Sequence, residues 1–158
     1  MAQEMNATPL KYGSVAPDFW LETLSGEQIT RHQFRNKAAL VVFLFTPSSA
    51  AWEYVASLAT DAAEYQELNV KIIAIANADT ASLTKIDLPA AVQLIPDPTG
   101  KAWRAYTETD PSADAAAVFV LDLYGGIDAQ QVVASVGELP THDRVLEWAR
   151  GAQYRCNI

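Results

Sequence analysis

Nucleophiles are scarce in this chain. Its one cysteine, Cys156, stands two residues from the C-terminus beside Arg155, a cation that favours the thiolate, the reactive form of the side chain. A single thiol allows no intramolecular disulfide, no Cys-x-x-Cys redox pair and no cysteine-based zinc cluster. Two readings stand for it: an incidental tail thiol, or one that forms disulfides between chains. At an ordinary pKa of ~8.5 only about a few per cent of it is thiolate at neutral pH, so reaction with peroxide is slow. The histidines, His32 and His142, lie isolated in polar surroundings and read as solvated. His142 falls at an expected helix start, where positive charge is unfavourable, and neither has a nucleophile to serve. No metal and no cofactor are expected. Gly125-Gly126 has no following helix or lysine, so it reads as a turn and not as a phosphate loop. Ser48 and Ser49 follow Pro47; at a helix start their free amides are suited to an anion, with Trp52 beside them.

The composition narrows the partners further. The chain has 158 residues, with 11 basic against 19 acidic side chains and a net charge of −8. That length fits one domain burying roughly 70% of its unfolded surface, so no staple is required. The pI of about 4.6 implies repulsion from phosphate backbones and anionic lipid, and the basic residues read as scattered; no nucleic-acid partner is expected. Hydrophobic residues at 50% and charged residues at 19% describe an ordinary globular chain. The longest apolar run, Ala38 to Phe45, has eight residues, far below the ~20 that span a bilayer. Gln3, Glu4, Asn6 and Thr8 interrupt the start where an export signal needs an apolar stretch. The expectation is a cytoplasmic protein with no membrane insertion.

The elements that must position any site follow from periodicity. Residues 1–12 read as a loose leader and 13–158 as a single domain. Ala38 to Phe45 is continuously apolar and stops at Thr46-Pro47, as does Val70 to Ala76 before its polar loop; both suit central strands buried on two faces. Ala117 to Leu121, a glycine turn and Gln131 to Val136 suggest an antiparallel hairpin. Between the first two strands, Ala51, Val55, Leu58, Ala62 and Tyr65 fall on one helical stripe, with Glu53, Ser57, Thr60, Glu64 and Glu67 opposite. One amphipathic helix over 48–68 is expected. Shorter helices are expected from Asp79 towards Asp87, over Thr99 to Tyr106, and after Pro140-Thr141 with Val145, Trp148, Ala149 and Ala152 inward. Strands alternating with helices give an α/β sheet, mixed because of the closing hairpin.

With these elements in place the sequence resembles the peroxiredoxins, the alkyl hydroperoxide reductase and thiol-specific antioxidant group, over roughly Gly13 to Arg150. The carriers are Ala16-Pro17-Asp18-Phe19 with Leu21 and Gly26, the strand ending Phe45-Thr46-Pro47, then Asp97-Pro98-Thr99-Gly100 with Tyr106, and Phe119-Val120-Leu121-Asp122 with its glycine turn. The resemblance implies a thioredoxin-like sandwich: a mixed central sheet with flanking helices. It also implies a site at which the chemistry has been replaced. The family's peroxidatic cysteine, seven residues after the strand-ending proline, falls on Tyr54; its threonine falls on Ala51 and its arginine on Ala116. Of that set only Pro47 remains.

A phenol ionises near ~10 and lacks the softness of sulfur, so Tyr54 is no substitute for a thiolate. The resemblance therefore implies a catalytically degenerate protein acting through binding or assembly, with Tyr54 an aromatic plug or, with Ser48, Ser49 and Trp52, a ligand contact. The alternative is residual thiol-dependent hydroperoxide reduction through Cys156 with an external thiol donor. A homodimer is expected, partly by family analogy and partly because an apolar edge strand at 131–136 invites self-association. The protein partner or small ligand is unknown.

Overall fold

The structure is a computed structural model, and it describes residues 10–155, with side chains through Gln153. The chain opens with a small antiparallel hairpin, β1 (Trp20–Glu22) and β2 (Gln28–Thr30), which the sequence reading did not anticipate because each strand has one inward residue, Leu21 and Ile29. β3 (Ala39–Phe45) follows, then α1 (Ser49–Ala59), α2 (Ala62–Leu68) and β4 (Val70–Ala76). The remainder is α3 (Thr80–Leu83), β5 (Val92–Pro96), α4 (Lys101–Thr107), β6 (Ala116–Leu121), β7 (Ile127–Val133) and α5 (His142–Arg155).

Five strands form one mixed sheet in the order β5-β4-β3-β6-β7. β3 runs parallel to β4 with Ala39 opposite Val70, and antiparallel to β6 with Phe45 opposite Ala116. All seven residues of β3 are buried, as a central strand covered on both faces requires. Its odd-numbered residues pack with α1, α2 and α5. Its even-numbered residues pack with α4 and the β1–β2 hairpin. The expected mixed α/β sandwich is present, and no helix among the described residues is long and apolar enough to cross a membrane.

Three element bounds differ from expectation. The helix over 48–68 is two helices: Thr60 Oγ1 donates to the Ser57 carbonyl at 2.6 Å and Asp61 leaves the helical region at φ −98°, ψ 17°. Such side-chain bonding competes with the helical ladder. The helix begun by Asp79 stops at Leu83, short of Asp87. The second strand of the hairpin starts at Ile127 and ends at Val133, with Val136 in a 3₁₀ turn. The strand begins early because the turn is tight: Asp122 Oδ1 accepts the amides of Tyr124 and Gly126 at 2.9 and 2.8 Å.

β7 is an edge strand, and part of its outer side is already covered. Gly13 N–H donates to the Ile127 carbonyl and Ile127 N–H to the Ser14 carbonyl, both at 2.9 Å. Leu10, within the stretch expected to be loose, exchanges two hydrogen bonds with the Gln130 amide.

Candidate functional site

Pro47 ends β3, and Ser48 turns the chain into α1. Ser48 Oγ accepts the Ala51 amide at 3.1 Å, which makes it the N-cap; that hydroxyl therefore serves the helix. Thr46 Oγ1 donates to the Ser112 carbonyl at 3.0 Å, tying the strand end to the loop that leads into β6. Ser49 is exposed. Trp52 packs edge-on against Phe45 with ring centroids 5.1 Å apart.

Tyr54 is the sixth residue of α1, one turn beyond the helix mouth. Its ring tilts against Phe43 with centroids 5.0 Å apart. Its hydroxyl donates to the Pro140 carbonyl at 2.7 Å. Burial pushes the phenol well above its usual range, because the phenolate would lose its hydration. Ala51 and Ala116 are both fully buried and belong with Tyr54 to one apolar cluster, Ala116 on the strand beside Phe45. The structure thus gathers Pro47, Ala51, Tyr54 and Ala116 around the C-terminal end of β3. Tyr54 supplies an aromatic ring packed on Phe43 and tied down by its hydroxyl, and Ala51 and Ala116 supply only methyl groups. Together they offer no thiol and no cation. Cys156 lies outside the described residues.

One polar contact at this end was missed in the sequence. His142, read there as solvated, places Nδ1 2.8 Å from Asp61 Oδ2 and 3.5 Å from Asp143 Oδ1. The hydrogen bond to Asp61 raises the His142 pKa, with the Asp143 charge adding to it; that outweighs the unfavourable helix start. Asp61, His142 and Asp143 bring ligand atoms within 4.8 Å of one another, and the short contact is that of a charge-assisted hydrogen bond. With Tyr54–Pro140, it staples the start of α5 to both α1 and the break before α2. Because the folded pKa is the higher one, this stabilisation is complete below the unfolded value of ~6.5 and fades as pH rises through the folded value. The melting temperature of the natural chain should therefore exceed that of Asp61→Asn most at about pH 5, with the gap narrowing towards about pH 9.

The motifs that carry the family resemblance turn out to build the frame. Asp18 Oδ1 accepts the amides of Phe19 and Arg31, each at 2.9 Å, fastening the entering loop to the end of β2. Asp97, 2% exposed, receives the Lys101 amide on Oδ1 at 3.0 Å and the Ala102 amide on Oδ2 at 2.9 Å. Gly100 adopts φ +71°, where a Cβ would meet Pro111 Cγ at 2.9 Å. Phe19, Tyr106 and Phe119 form an aromatic row on this face of the sheet.

Residues 12–130 match the model of the AhpC/TSA family. The chain belongs to the AhpC/TSA family. Among solved structures, this family member is similar to the reduced 2-Cys peroxiredoxin of Plasmodium vivax, at 16% identity and a TM-score of 0.77, covering 94% of this chain and 85% of that one. It is similar also to a peroxiredoxin-like protein from Aquifex aeolicus (16% identity, TM-score 0.75, covering 92% and 90%). A third is the yeast mitochondrial 1-Cys peroxiredoxin (18% identity, TM-score 0.73, covering 94% and 78%). At these identities the likeness is one of fold, the thioredoxin-like sandwich. No curated protein matches the sequence.

Proposed function

We propose that this AhpC/TSA family member is not a thiol peroxidase and acts through binding or assembly. The observation that carries the reading is Tyr54: where the family resemblance puts a nucleophilic thiol, the chain has a partly buried phenol bonded to a backbone carbonyl. Peroxide reduction by a thiol needs a stabilised thiolate and donors that polarise the O–O bond. Alanine at 51 and 116 supplies neither. The test is hydroperoxide consumption by the purified chain with excess dithiol, in which no catalysed turnover is expected. Turnover far above that of free cysteine, and lost in Cys156→Ser, would support the residual enzyme instead.

The assembly we propose is a homodimer of a cytoplasmic protein whose single domain spans 13–158. The outer edge of β7 supports it: beyond Ile127, and apart from the ladder with β6, no backbone–backbone bond joins residues 129–133 to another segment among the described residues, and an open edge invites pairing. A net charge of −8 repels like copies, but salt screens it beyond about 8–10 Å. Light scattering under reducing conditions should give twice the 17.2 kDa chain mass. A single-chain mass throughout the micromolar range would contradict it.

A further inference from the structure

A broad opening lies at the edge of the sheet where β4 begins. β4 starts at Val70, but its pairing with β5 starts only at Ile72, opposite Val92. Val70 and Lys71 therefore overhang their neighbour. A groove of about 400 Å³ wraps round this overhang, with Phe34, Val70, Ile73 and Ala91 as apolar wall and Lys71 and Gln93 at the rim. That volume is within the ~300–1,000 Å³ of small-molecule sites. Tyr65 forms part of the wall, and its buried hydroxyl has no hydrogen-bond partner among the described residues.

Charge says what the groove accepts. Of the basic residues, read from the sequence as scattered, Lys71 lines this groove, and exposed His32, Arg35 and Lys37 surround a second opening on the loop that carries Phe34. The segments that carry the two openings are tied together: the Asn69 side-chain amide, one residue before Val70, donates to the Lys37 carbonyl at 2.6 Å. No ion pair engages Lys71, Arg35 or Lys37 among the described residues. In a chain with an excess of eight acidic groups, three unpaired cations beside an apolar wall form a local reversal of sign.

We propose that this groove binds a small amphipathic anion: a compact apolar body against Phe34, Ile73 and Ala91, and one carboxylate facing Lys71 and the Arg35–Lys37 loop. The site is separate from the Tyr54 end and does not depend on whether that end is inert. Octanoate is the probe. Titrated into the full chain and followed by amide nitrogen–proton NMR, it should shift residues 66, 70–73 and 90–93 saturably. Lys71→Glu, at an exposed position, should weaken binding by about tenfold or more, and 1-octanol, with the tail but not the charge, should bind more weakly by a similar factor. Ala91→Trp, which fills the groove from an exposed position, should abolish the shifts. The proposal is overturned if octanoate produces no saturable shifts, if they map to the Tyr54 end, if 1-octanol binds as tightly, or if Lys71→Glu leaves the affinity unchanged.

Discussion

Truncating Tyr54 to alanine is expected to destabilise the protein by about 3–4 kcal/mol, the range for removing a large aromatic from a packed site. The ring lies on Phe43 within the cluster that joins α1, the sheet and α5, so its removal strips packing from all three. Tyr54→Phe keeps the ring and loses only the bond to the Pro140 carbonyl, which should cost about 1 kcal/mol. Urea denaturation of the two variants separates the roles. A plug predicts a large loss for alanine and a small one for phenylalanine. A side chain held ready for a ligand would be nearly dispensable to stability, and a cost for Tyr54→Ala below about 1 kcal/mol would favour that reading.

The second large effect is expected at Asp97. Its two carboxylate oxygens accept two successive amides of α4 in a site that is 2% exposed. Asp97→Ala leaves both donors without a partner, and the Ala102 amide is buried. The expected loss is about 2–3 kcal/mol, for the side-chain acceptor of the first helix amides together with an unsatisfied buried group. Asp97→Asn retains one acceptor oxygen and should lose less. Equal unfolding midpoints for the natural chain and Asp97→Ala would contradict this account of the Asp97-Pro98-Thr99-Gly100 segment.

The fold was legible because the residues that signal it also build it. The apolar runs at 39–45 and at 70–76, the second interrupted only by Lys71, signal central strands, and Asp18, Asp97 and Gly100 stand in the sequence as turn and cap chemistry. The hairpin of β1 and β2 escaped notice because three-residue strands with one inward side chain have no measurable period. The break at Asp61 escaped because the apolar stripe continues across it, from Leu58 to Tyr65. The His142–Asp61 bond joins residues 81 positions apart, and nothing local to either one announces the other. The same holds for Tyr54 and Pro140, 86 positions apart. The cations of the loop, His32, Arg35 and Lys37, stand within six residues of one another, but Lys71 is distant in sequence and only the fold brings its strand beside that loop.

The central claim is that a partly buried tyrosine stands where the family resemblance places a reactive thiol, leaving no site that reduces peroxide. Its most direct test is the second-order rate constant for hydrogen peroxide with the fully reduced chain, measured beside free cysteine and Cys156→Ser. The account predicts a rate for the natural chain within about tenfold of free cysteine, as for a thiol of ordinary pKa, and none above background for Cys156→Ser. A rate orders of magnitude above free cysteine would contradict it.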